Sequence, residues 1–338
     1  MLSANSGCRW MEFVWNGITS LIMENDILRI EILADKGTDI VEFLYKPLDI
    51  DFMWRSPIPM HKPFSLITTA EGKLGNFLDY YPGGWQEIFP NGGGICEYKG
   101  AILGLHGEVA LMPWKFQLIE SNNHRISIKF HTETYRTPFL IEKTISMEKN
   151  NPAVFIDERV TNKSGEEMDF IWGHHPAFGK PFLSADCVIR IKKALISVGQ
   201  GDGKSFTNLK NTAGIWPLVE GSSGKNTVDI SICPAEKDNV SEVMFLSGLE
   251  DGNYEIFNNK LKVGFRLEFP LNIFRYIWFW RIAGGSYNYP WYGRNYNIAL
   301  EPFSSLPGLD EAVRRGDQLK LNPGENLKAS MKASITTG

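Results

Sequence analysis

Basic residues do not predominate in this sequence. Lys and Arg number 35 against 39 Asp and Glu, a formal net charge of −4. Broad nucleic-acid binding needs a basic footprint, so no nucleic-acid partner is expected. Long hydrophobic runs are missing as well. No stretch reaches about 18 consecutive apolar residues, so neither a transmembrane helix nor a membrane partner is expected. The segment from Met1 to Val14 has no basic start followed by an apolar run. No secretory signal is read there, and a cytoplasmic location is expected. Cysteine is scarce. Cys8, Cys96, Cys187 and Cys233 lie far apart and form no C-x-x-C pair. That argues against a zinc knuckle or redox motif and for free thiols. Low-complexity linkers, internal repeats and strong helix signals are also lacking.

What the chain does have is aromatic residues, 12% of its 338 positions with ten Trp, and alternation of period two. Leu28-Arg29-Ile30-Glu31-Ile32, Ile126 to Phe130, Phe139 to Ile145 and Val154 to Val160 each place apolar side chains on one face only. Such alternation marks antiparallel sheets with one wet face. Turn formers separate the runs, among them Asn122-Asn123, Lys149 to Pro152 and Asn162 to Gly165. The spacing predicts hairpin connections rather than βαβ units. Short helices are expected at Gly75 to Tyr81 and at Leu309 to Arg315, the latter with acids early, bases late and Gly316 as a stop. The C-terminus returns to strands, with Leu327, Ala329, Met331, Ala333 and Ile335 on one face. Gly199 to Gly224, rich in Gly, Ser, Asn and Lys, reads as a long exposed loop. The whole chain, residues 1–338, therefore reads as one large antiparallel all-β domain.

Two stretches carry candidate chemistry. Trp172-Gly173-His174-His175-Pro176-Ala177-Phe178 places adjacent histidines where a strand-like run meets a proline. In an extended chain their side chains point to opposite faces, so only one faces a given pocket. Ala299-Leu300-Glu301-Pro302 ends an apolar strand with a carboxylate, and alternation puts Asn297, Ala299 and Glu301 on one face. His175 and Glu301 are expected to meet across one pocket and to move protons in opposite directions. Arg294 is either a partner of Glu301 or a substrate contact. A Gly-rich aromatic stretch, Tyr80 to Gly107, holds His106 and reads as a lining loop. A metal set of His106, His174, His175 and Glu301 is conceivable from residue types, but adjacent histidines diverge and no H-x-H or H-E-x-x-H spacing exists; no metal is expected. No G-x-S-x-G occurs.

These residues resemble the galactose mutarotase (aldose 1-epimerase) superfamily. The resemblance runs over nearly the whole chain: Asn25 to Ile40, Leu105-His106-Gly107, His175-Pro176-x-Phe178, Leu300-Glu301-Pro302 and Leu321-Asn322-Pro323-Gly324-Glu325. It implies a large antiparallel β-supersandwich and an isomerase that interconverts the anomers of a free hexose or related sugar. It implies no cofactor. By resemblance His175 is the general acid, Glu301 the general base, and His106 a sugar contact; His174 stands where better-known members often carry Asn. Two departures matter. The loop Phe89-Pro90-Asn91-Gly92-Gly93 lacks the superfamily's usual Arg, and only Asp251 is offered for its substrate-binding Asp. Trp85, Gln86 and Asn91 are the expected replacement contacts, and His174 is expected to touch the sugar as well. A phosphorylated sugar would want Arg55, Arg281 and Arg294 to converge. A non-catalytic carbohydrate-binding protein and another sugar-active enzyme on the same scaffold are the alternatives. Sugar identity and oligomeric state are not legible.

Overall fold

The computed structural model describes residues 6–63, 75–199, 207, 209–210, 212–224 and 226–338. Two large antiparallel sheets dominate it. The larger has fourteen strands. At its centre, side by side, run Trp85–Ile88, Gly173–Phe178, Tyr296–Phe303 and Tyr276–Ala283. The second sheet has eight strands and is built on the hairpins around Phe139–Glu148, Ala153–Asn162 and the twelve-residue strand Asn326–Thr337. Every strand pairing within these two sheets is antiparallel, as the period-two patterning requires.

The sheets face each other across a continuous apolar core. Phe265 of the second sheet marks the contact. Its ring meets Phe178 at 4.8 Å, Phe43 at 5.1 Å and Trp85 at 6.3 Å, all three from the large sheet. The opposite face of the large sheet carries the candidate site.

The helices form where expected, at Gly75–Asp79 and Leu309–Arg315, the second closed by Gly316 in a left-handed conformation. The expected loop over 199–224 needs correction. Ala213–Ile215 and Leu218–Glu220 form a hairpin that extends the large sheet from Leu195–Val198 to Thr227–Asp229. Each strand is three residues long, too short for alternation to register in a sequence. Residues 200–206, 208 and 211 lie outside the described part. The four cysteines are buried free thiols. Among the described residues no helix is long and apolar enough to cross a membrane.

Candidate functional site

His175 and Glu301 come from neighbouring strands at the centre of the large sheet. Their strands pair through Gly173↔Phe303 and Ala177↔Ala299. Both side chains project from the face that looks away from the second sheet, and His175 Nε2 lies 3.3 Å from Glu301 Oε1. Solvent reaches little of either, 6% of the histidine side chain and 4% of the carboxylate's.

Aromatic rings build the surroundings. Trp278 and Trp280 stand opposite Glu301 and Ala299 across the next strand pair. The His175 ring meets Trp280 at 5.8 Å, Tyr81 at 5.5 Å and His106 at 5.5 Å, all roughly edge to face. Trp54 and Trp291 close the wall through Tyr81 and Trp280. Tyr81 Oη lies 3.2 Å from His175 Nδ1.

His106 enters from the Gly-rich loop. Its backbone is left-handed, with φ 58°, an arrangement His tolerates better than most residues. A Cβ on the following Gly107 would lie 2.2 Å from the Phe89 carbonyl oxygen, so this tight turn requires glycine. The Gly93 amide donates to His106 Nδ1 at 3.2 Å. In a neutral ring the hydrogen therefore sits on Nε2, which makes His106 a donor toward the site. Burial and the neighbouring His175 hold the His106 pKa well below 6.5, so the ring is neutral.

The same physics sets the protonation of the central pair. Burial lowers His175 to about 4 and raises Glu301 well above 4.5. Burial thus favours the neutral form of each group, imidazole and carboxyl alike.

The remaining expected contacts fall elsewhere. His174 projects between the sheets, as its neighbour's opposite orientation demands. Trp85 Nε1 donates to His174 Nδ1 at 3.2 Å, which leaves His174 Nε2–H to donate to Glu158 Oε2 at 3.0 Å. His174 and Trp85 are thus corrected from sugar contacts to inter-sheet groups. Asn91 is also spent on the scaffold. Its amide donates to the Gly94 and Gly104 carbonyls and its oxygen accepts the Leu309 amide. Arg294 is exposed, bonded to the Trp291 carbonyl at 3.3 Å, and makes no ion pair with Glu301. Arg55 pairs with Asp51 and Arg281 with Glu242, so the three arginines do not converge. Asp251 is paired with Lys192 at 3.6 Å, with about half of its side chain exposed. Gln86 alone of the replacement contacts shares the His175 face. It stands opposite His175 in the strand pairing, donates to Asp39 and Gly83, and keeps its buried Oε1 unpartnered.

The conceivable metal set is split, because His174 lies on the other side of the sheet. Behind it Glu87, Glu158 and His174 do converge within 4.8 Å, but Lys143 Nζ sits among them, 2.6 Å from Glu87 and 3.5 Å from Glu158. The ammonium is a built-in cation. Trp172 Nε1 also donates to Glu87. Burial raises both carboxyls, Glu158 to about 7. Lys143 pairs with both carboxyl groups, while burial favours their protonated forms.

Sequence reading missed Tyr81, Phe77, Trp54 and Trp280 as site walls, and it missed the Glu87–Lys143–Glu158 group. For the latter a signal existed. Lys143 shares its strand face with Phe139, Ile141 and Ile145, and Glu158 with Val154, Ile156 and Val160. A charge on the apolar face of a strand must find a partner across the core.

Residues 16–335 match the family described as a domain of unknown function, DUF4432. The chain belongs to that family. No curated protein matches its sequence. Among solved structures it is similar to a candidate aldose 1-epimerase from Klebsiella pneumoniae, with TM-score 0.75 and 14% identity over 98% of this chain and 88% of the other. A galactose mutarotase related enzyme from Lactobacillus acidophilus gives TM-score 0.62 and 16% identity over 97% and 98%. A galactose mutarotase-like protein from Clostridium acetobutylicum gives 0.64 and 14% over 98% and 99%. At these identities the likeness shows the fold, which is that of the galactose mutarotase-like proteins.

Proposed function

We propose that this protein is an aldose 1-epimerase-like isomerase, acting on a free hexose or a related aldose through His175 and Glu301. The observation that carries the reading is the 3.3 Å contact between His175 Nε2 and Glu301 Oε1 inside an aromatic wall. An imidazole and a carboxyl held together out of water form an acid and a base of adjustable strength. The aromatic faces suit the apolar side of a pyranose, and His106 Nε2–H suits a hydroxyl oxygen.

The neutral forms that burial favours suggest the order of steps. Glu301 gives its proton to the ring oxygen as the C1–O5 bond breaks. His175 Nε2 takes the proton of the anomeric hydroxyl, whose electrons form the C1 carbonyl. After rotation about C1–C2, the O5 hydroxyl attacks the other carbonyl face and returns its proton to Glu301, while His175 returns its own to the C1 oxygen. The first half reverses the acid and base roles implied by resemblance; the second half restores them. This route uses no metal and no organic cofactor.

NMR exchange spectroscopy on a panel of free aldoses tests it, with His175→Ala and Glu301→Ala alongside. Anomer exchange faster than in buffer, lost by about 10²–10⁴-fold in each folded variant, supports the reading. Line broadening that shows binding, without faster exchange on any sugar, points to a carbohydrate-binding protein instead.

A further inference from the structure

Both ring nitrogens of His175 are engaged by side chains. Glu301 faces Nε2, and the Tyr81 hydroxyl faces Nδ1. Tyr81 is itself held firmly. It is buried, stacked on Phe77 at 5.1 Å and packed against Trp54 at 5.6 Å. The chain turns directly after it through Pro82-Gly83-Gly84. There Ser56 and Gly84 amides donate to the Pro82 and Trp54 carbonyls. A Cβ on Gly83 would lie 2.2 Å from the Trp54 carbonyl oxygen, so the turn sits flush on that segment. The phenol is a fixed post behind the histidine.

We propose that Tyr81 is the positioning residue of the proton-transfer pair: its hydroxyl oxygen accepts Nδ1–H of His175, which leaves the Nε2 lone pair facing Glu301 and the reacting sugar. The proposal rests on the reading of His175 as an acid–base group. Two observations support the tautomer. Glu301 stands 3.3 Å from Nε2, and burial favours its protonated form, which would donate to that nitrogen. A neutral ring has one hydrogen to place, and the Tyr81 oxygen stands at Nδ1 to accept it.

The choice of a phenol has a physical consequence. A carboxylate at Nδ1 would favour imidazolium and hold the proton on the ring. Burial keeps the Tyr81 hydroxyl protonated, its pKa well above 10, so it orients the ring without adding charge. The mobile proton can then pass between His175, Glu301 and the sugar in both directions, as a reversible isomerisation needs.

The test is 15N NMR of histidine-labelled protein, with the His175 signals assigned through His175→Ala. The wild type is expected to show Nδ1 protonated and Nε2 bare at neutral pH. Tyr81→Phe keeps the ring and its packing and removes only the oxygen. It is expected to give a mixture of tautomers and to lower kcat about tenfold, the worth of one hydrogen bond, with KM within about twofold. A wild-type ring protonated at Nε2 overturns the proposal without recourse to any variant. So does a Tyr81→Phe protein with an unchanged tautomer. If no sugar shows accelerated exchange while the tautomer shifts as stated, the proposed function fails and the Tyr81–His175 relationship stands.

Discussion

His174 and His175 are adjacent in the chain and serve opposite faces of one sheet. His175 meets Glu301 on the outer face, whereas His174 is clamped between Trp85 and Glu158 in the inter-sheet layer. The clamp fixes the strand from behind and so fixes the direction of His175. His174→Ala is therefore expected to act mainly on stability. Loss of a buried hydrogen-bonded group costs about 1–3 kcal/mol. Denaturant unfolding would read this. Anomer exchange in the folded variant should fall far less than in His175→Ala, and an equal fall would place His174 in the chemistry.

The pH dependence of the reaction follows from the resting pair. Activity requires neutral His175, lowered to about 4, and protonated Glu301, raised above 4.5 by burial. The rate should climb as pH rises through about 4, hold a plateau, and fall once Glu301 ionises above its raised value. An acidic limb centred near the ordinary histidine value, about 6.5, would show that His175 works as imidazolium instead.

Glu158 gives a stability signature. Burial holds it at about 7, above its ordinary 4.5, so the folded state binds this proton more tightly than the unfolded chain. That stabilisation is complete below pH 4.5 and is lost as pH rises through 7. The loss amounts to about 3 kcal/mol at 1.36 kcal/mol per unit. Glu158→Gln lacks it. Unfolding free energies of wild type and variant, compared from pH 5 to 8, should diverge up to about pH 7 and level off beyond it, with the variant gaining. Parallel curves would mean that Glu158 is ionised throughout.

Lys143 neutralises the inter-sheet carboxyls, and its ammonium is nearly inaccessible to water. Lys143→Met should destabilise the fold by about 3–5 kcal/mol, because it strands a buried negative charge. Adding Glu87→Gln and Glu158→Gln should recover most of the loss. Failure of the triple variant to recover would assign Lys143 a packing role, for instance through its contact with the Trp114 ring.

Gly173 is needed for packing. A Cβ there would lie 2.2 Å from the Phe303 ring, which is stacked on Trp278 at 3.6 Å. Gly173→Ala should cost about 1–3 kcal/mol by overpacking and displace Trp278 beside Glu301. Unchanged stability and an unchanged tryptophan spectrum would show that the strand absorbs the methyl group.

By itself the sequence determined the sheets and their faces. Period-two alternation is local, so Leu28–Leu33, Phe139–Glu148 and Asn326–Thr337 could be read as strands with known buried sides. The same alternation separated His174 from His175, and the resemblance to the galactose mutarotase superfamily pointed to His175 and Glu301 as the pair. What lay beyond it was which faces meet. The partners of His174 come from Trp85, 89 residues earlier, and from Glu158, 16 residues earlier on the second sheet. Tyr81 reaches His175 across 94 residues. Asn91 looks free in the chain and is saturated in the fold. Protonation was decided there too. Burial, which depends on every element packed around a group, moved His175 down and Glu301 up and so favours the neutral form of both.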